Sequence, residues 1–194
     1  LPFLPMLPIQ ILLNNFLSDI PSLAIASDNV DKEAVVGPQV WNIAYVQRFM
    51  VVFGLISTVF DMIAFGFLLV VARETAAVFQ TAWFVESLIT ELAIVLVIRT
   101  SKPVWKSRPG RWLVIATIAV TALALAVPYL PGADWFGFVP LPPQILAGLG
   151  VITLFYLVVS EIAKYWFFAH EHHRFLPQRR ATARRPLKTL RHRR

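Results

Sequence analysis

Apolar residues run almost unbroken through five stretches of this chain, at 8–26, 49–72, 82–98, 112–130 and 145–169. Each is close to or above the ~17 to 25 residues that a helix needs to cross a bilayer. Between them lie short segments rich in proline, glycine and charge, and nowhere does an apolar/polar alternation of period two persist long enough to build a membrane barrel. No internal repeat is visible. The pattern predicts an all-α membrane protein, a bundle of about five transmembrane helices. It is organised as a first spanning helix at 1–26, a connecting loop at 27–48, four further helices within 49–170 and a polar tail at 171–194.

Composition supports the membrane assignment: 57% of the 194 residues are hydrophobic, 15% are charged and the mean hydropathy is +0.65, values unlike those of an ordinary soluble domain. The chain has no cysteine, which removes disulfides, iron–sulfur clusters and thiolate metal sites and leaves oxygen and imidazole as the available ligands. The first residues carry neither a basic segment nor a small-residue cleavage site, so they are not read as a signal peptide. A chain that opens on Leu1 is expected to be the remainder of a longer one.

The net charge of +7 is unevenly placed. Arg99, Lys102, Lys106, Arg108 and Arg111 crowd one loop without an acid, and nine more Arg and Lys follow Glu171. By the bias of Lys and Arg toward cytoplasmic loops, both segments lie inside, as does the C-terminus, and the first helix runs from outside to inside. Tyr129, Trp135 and Phe136 at the outer loop, and Tyr165 and Trp166 near the inner end of the last span, fall where amphipathic rings favour the headgroup zone. The basic tail is expected to be a solvated end that enforces topology, with adhesion to anionic lipid as the alternative role; with one aromatic and no reading module, nucleic-acid binding ranks behind both. The run "HEHH" at 170–173 reads as an interfacial cluster, lacking the supporting shell of a dedicated metal site.

Ionisable residues at membrane depth cost roughly 2.5 to 3.5 kcal/mol each and mark candidate sites. Here they are Asp19, Asp61, Glu86, Glu91 and, toward the inner edge, Glu161 and Lys164. Asn15 and Asp19 are four residues apart on one helical face with Ser18 beside them, between Pro8 and Pro21, and a proline within a helix frees a carbonyl. Carboxylate, amide and hydroxyl oxygens suit a hard cation such as Mg²⁺, Ca²⁺, Na⁺ or K⁺. The alternative role, interhelical hydrogen bonding at ~0.6 kcal/mol per bond, suits Asn14 and is an expensive use of Asp19. Glu86 and Glu91 are five apart, about 140° around a helix, so one is expected at a ligand or cavity position and the other as a structural partner. Asp61 is expected to be a buried hydrogen-bonding residue, and Glu161 to pair with Lys164 at i, i+3.

The stretch "LPFLPMLPIQILLNNFLSDIPSLAIASDNVDKE" resembles the sixth membrane helix of P-type cation-transporting ATPases, with P-x-Q-x(4)-N-x-x-[ST]-D met by Pro8, Gln10, Asn15, Ser18 and Asp19. The runs "DNVDKE", "VQRFM", "FD" at Phe60 and Asp61, and "FQTAWFVESL" followed by "IRTSK", look most like the bacterial magnesium-transporting branch. The resemblance reaches to about Phe175 and implies that the five spans are helices six to ten of such a pump. It further implies cation-binding roles for Asn15, Ser18 and Asp19, with Asn15 and Asp19 as metal ligands, an eighth-helix ligand position for Glu91, and a cation-binding role also for Glu86, an acid characteristic of the magnesium branch. The loop at 27–48 would couple to the phosphorylation domain through Asp28, Asp31 and Lys32.

The motif D-K-T-G-T, the nucleotide-binding domain and the preceding helices are not in this sequence. The resemblance therefore implies a C-terminal membrane portion with no catalytic residue of its own. Its cargo would be Mg²⁺, its ATP would be used by domains elsewhere, and its partners would be those domains, the missing helices and the lipids of a bacterial inner membrane. A non-enzymatic small membrane protein, as regulatory subunit or remnant, is the rival expectation, and Ca²⁺ is the rival cargo.

Overall fold

The structure, a computed structural model, describes residues 2–29, 43–71 and 75–183, with no side chains described from 171 onward. Five helices are long and apolar enough to cross a membrane: α1 (Pro8–Ala24), α2 (Ile43–Val71), α3 (Ala76–Ile98), α4 (Arg111–Ala126) and α5 (Pro143–Ala183). Among the described residues there is no strand. The protein is an all-helical membrane bundle, as the apolar runs predict.

Local signals fix the helix ends. Pro8 takes the first turn of α1, where its missing N–H costs nothing, and the Gln10 side chain accepts a hydrogen bond from Leu7 N at 3.0 Å. Thr75 caps α3, its hydroxyl accepting from Val78 N at 3.3 Å, so that helix begins six residues before its continuous apolar run. The helices α2 and α5 likewise outrun their apolar segments, α2 starting within the expected loop and α5 passing through the expected start of the tail. Hydropathy finds the part of a helix that lies in lipid, not the turns that project beyond it.

Polar ties between elements give the directions of the helices. At one end Gln80 Nε2 donates to Leu4 O at 2.8 Å, and at the other Arg99 Nη1 donates to Asp28 Oδ2 at 2.8 Å, so α1 and α3 are parallel. Gly110 N meets Asp28 at one end of α4, while the turn after α4 meets Gln10, which makes α4 antiparallel to α1. Thr81 accepts from Val139 N before α5, and Lys164 of α5 donates to Val97 O at the far end of α3, so α3 and α5 are parallel. Ring contacts of Tyr45 with Phe167 and Phe60 with Tyr156 set α2 antiparallel to α5. Up-down alternation follows, as spans joined by short links require.

The central element is α3, which packs against all four others, with α1 and α4 on one side and α2 and α5 on the other. Phe79, Phe84, Leu88 and Leu92 of α3 form the spine of the core, with Leu17, Leu68, Val120, Ala124, Phe138, Ile145 and Leu149 packed around it. Gly148 admits close approach, since a Cβ there would strike the Phe67 ring. With lipid offering no hydrogen bonds, loop backbone that dips into the bundle must be satisfied by side chains. Gln10 Nε2 accordingly donates to Phe136 O and Gly137 O at 3.1 and 3.3 Å, and Tyr129 Oη donates to Leu141 O at 3.0 Å.

Candidate functional site

The first helix carries two stripes on opposite sides. Gln10, Asn14, Leu17, Ser18 and Pro21 are buried against the bundle, whereas Leu12, Asn15, Phe16, Asp19, Ile20 and Leu23 are exposed along the other side. Asn15 and Asp19 thus share the open face that their spacing predicts. Ser18 does not join them: it is 6% exposed, and its hydroxyl donates to Asn15 O at 3.1 Å. At about 100° per residue, a serine next to Asp19 is carried round to the packed side. Ser22 donates to Ser18 O at 2.9 Å. Pro21 lacks the N–H that would otherwise reach Leu17 O, which frees a carbonyl on the buried side.

Glu91 of α3 is exposed, as Asp19 is. Asp19 lies nine residues before Asp28 and Glu91 eight before Arg99, and the Asp28–Arg99 contact ties the two parallel helices together. Both carboxylates thus lie in the halves of α1 and α3 that end at this contact. Among the described residues neither carboxylate, nor the Asn15 amide, has a recorded hydrogen-bond or ion-pair partner, and no cluster of three or more acidic or imidazole side chains occurs. Two carboxylates and an amide are a fitting part, and only a part, of the oxygen shell of a hard cation.

Glu86 occupies another face of α3. It is 1% exposed with both carboxylate oxygens unpartnered, and the charged group that acts on it is Asp61 of α2. Glu86 and Glu91 therefore point into different surroundings, as their 140° separation requires. Asn14, on the buried stripe, has an unpartnered Oδ1.

At the ends of α1 and α3 beside the basic loop, Asp28 accepts from Arg99 Nη1 at 2.8 Å and from Gly110 N at 2.6 Å, while Arg99 Nη2 donates to Ser107 Oγ at 3.0 Å. Partial burial works against the Asp28 charge, but the Gly110 N–H and the Arg99 guanidinium outweigh it and hold the carboxyl below its ordinary value of 3.8. Gly110 has no room for a side chain, since a Cβ would lie 2.9 Å from Ser27 O. Asp28 is thus an internal fastening between α1 and the basic loop; Asp31 and Lys32 lie outside the described residues. Nearby, Lys164 donates to Val97 O at 3.0 Å and Lys102 O at 2.8 Å and pairs with Glu161 at 2.8 Å. The expected i, i+3 pair is present, but the two backbone carbonyls that the lysine also serves are not visible in the spacing.

The family model described as "Cation transporting ATPase, C-terminus" matches residues 3–166. The chain is 37% identical over 169 residues to the "Magnesium-transporting ATPase, P-type 1" of Escherichia coli (strain K12), covering 84% of this chain and 19% of that protein. To a protein of the same description from Salmonella typhimurium (strain LT2) it is 38% identical over 169 residues, with the same coverage. To a second of that description from the same strain it is 32% identical over 172 residues, covering 86% of this chain and 19% of the relative. The chain thus spans about a fifth of the length of these relatives. A five-helix bundle, an apolar helix bearing Asn15 and Asp19, and a family match over most of the sequence agree: the chain belongs to the cation-transporting P-type ATPases, as their C-terminal membrane region.

Proposed function

We propose that this chain supplies part of the transport site of an ATP-driven Mg²⁺ transporter, with Asn15 and Asp19 of α1 and Glu91 of α3 as cation ligands and Ser18 supporting the Asn15 backbone. The observation that carries the reading is the open stripe of α1. An amide and a carboxylate there are set among Leu12, Phe16, Ile20 and Leu23, a face that would cost roughly 2.5 to 3.5 kcal/mol for the acid alone if it met lipid. Other helices of the transporter would cover this face and complete the ligand shell. Mg²⁺ keeps several waters and needs only one or two carboxylates, which suits Asp19 together with Glu91. The magnesium specificity named for the relatives favours that ion over Ca²⁺. ATP would be bound and split in domains outside this chain, and 27–48 would carry their motion to α1, with Asp28 as the anchor at its root and Asp31 and Lys32 as contacts. The Arg- and Lys-rich loop and tail support a C-terminus in the cytoplasm of a bacterial cell and a bundle in its inner membrane.

The test is Asp19→Asn in the complete transporter. Magnesium uptake and Mg²⁺-stimulated ATP hydrolysis are expected to fall at least about tenfold at equal expression, the equivalent of ~1.4 kcal/mol of lost ion binding. Unchanged uptake removes Asp19 from the site.

A further inference from the structure

Glu86 is the one acid at membrane depth that is both fully buried and without a partner among the described residues. Three helices meet around it. From α5 comes Tyr156, 4% exposed, which lies within interaction range of Ser57 and Asp61 of α2, of Ser160 on its own helix and of Glu86 itself. The Phe60–Tyr156 ring contact, with centroids 5.4 Å apart, holds α2 and α5 together at this level. The Ser160 hydroxyl is 0% exposed and also unpartnered, and Asp61 is half-buried beside Ser57. Among the described residues no cation acts on either acid. The only ionisable side chain of α1 is Asp19, on its open stripe, and the only one of α4 is Arg111 at its first residue. On α3 Glu91 is on the exposed face, and on α5 Lys164 is committed to Glu161 and two carbonyls.

We propose that Glu86 and Asp61, with Tyr156 and Ser160 beside them, form a proton-binding site in the α2–α3–α5 junction, separate from the open stripe of α1 that carries Asn15 and Asp19. An ionised carboxylate with no partner cannot be kept in a dry interior without a large penalty, and two neighbouring carboxylates are relieved by one proton. The step is a single protonation: an O–H bond forms at a Glu86 oxygen from solvent hydronium and water is released. A divalent cation fits less well, because Mg²⁺ wants six near-octahedral ligands and no group of three acidic or imidazole side chains gathers here among the described residues. The site does not depend on the transport reading, since it rests on side chains of this chain alone.

The test is infrared spectroscopy of the complete transporter in lipid nanodiscs at neutral pH. A neutral-carboxyl C=O stretch that shifts in D₂O is expected in the wild type, lost in Glu86→Gln, retained with altered frequency in Glu86→Asp, and retained in Glu91→Gln. Glu86→Gln, shaped like the neutral acid, should also melt at the wild-type temperature at neutral pH. A band untouched by Glu86→Gln overturns the proposal. So does a band abolished by millimolar Mg²⁺ in the wild type, which would make the junction a metal site.

Discussion

Lys164 has a charged tip and an exposure of 1%, a combination that survives only when every donor is engaged. Val97 O and Lys102 O accept hydrogen bonds from it, and the Glu161 carboxylate faces it as an ion pair at 2.8 Å. Val97 O belongs to the last turn of α3, where carbonyls have no partner within the helix and where a cation also answers the helix dipole. Lys164→Met keeps the apolar stem and strips the charge, leaving two carbonyls without their donor and the Glu161 carboxylate without its counter-ion, held among the described residues only by Val104 N. It should destabilise the bundle by about 3 kcal/mol, read as a lowered unfolding midpoint in detergent, and Lys164→Arg should not restore it, because a fork cannot copy three donors on a point. The spacing of Glu161 and Lys164 discloses their pairing. It does not disclose the two carbonyls, because backbone acceptors look the same at every position of a sequence. For the same reason Gln10, Gln80 and Thr81 give no sign in the sequence of the loop groups that they satisfy.

At the scale of elements, the root of α1 is pinned to the segment between α3 and α4 by Asp28, Arg99 and Gly110. Since the Asp28 carboxyl is held below 3.8 in the fold, its contribution is fully present above that value and is lost as pH falls through the lowered one. A double-mutant cycle of Asp28→Asn and Arg99→Gln should therefore give a coupling of about 1.5 to 3 kcal/mol at pH 7 that disappears in strong acid; a coupling that grows on acidification would contradict the assignment. Gly110→Ala should weaken the same junction, because the new methyl meets Ser27 O. The elements themselves were readable. Runs of apolar residues locate all five spans, and the polar motif on the first marks Asn15 and Asp19, which stand open, together with Gln10 and Ser18, which are packed inside. The helix ends were less readable, since Thr75 caps a turn that carries no hydrophobic signal, and the packing partners of α3 follow from side-chain shapes that no periodicity encodes.

Across the whole molecule, the open and packed stripes of α1, the central α3 and the basic loop together define an inside and an outside. Trp135 is 87% exposed in the turn between α4 and α5, and Trp105 is 76% exposed in the basic loop at the opposite end. These 194 residues contain no cysteine, so in a transporter whose other segments are made cysteine-free a single thiol placed at either position reports its own side. Under the orientation set by Arg99, Lys102, Lys106, Arg108 and Arg111, Trp135→Cys should react with a membrane-impermeant maleimide in intact cells, and Trp105→Cys only after the membrane is opened. Phe16→Cys probes the other global claim. Its side chain is 65% exposed on the stripe that carries Asp19, and if further helices of the transporter cover that stripe it should form a disulfide with a thiol on one of them and resist a lipid-dissolved alkylating reagent. Ready alkylation of Phe16→Cys from the lipid phase would mean that the Asp19 face looks onto acyl chains, and no energetic argument for a cation site on α1 would then remain.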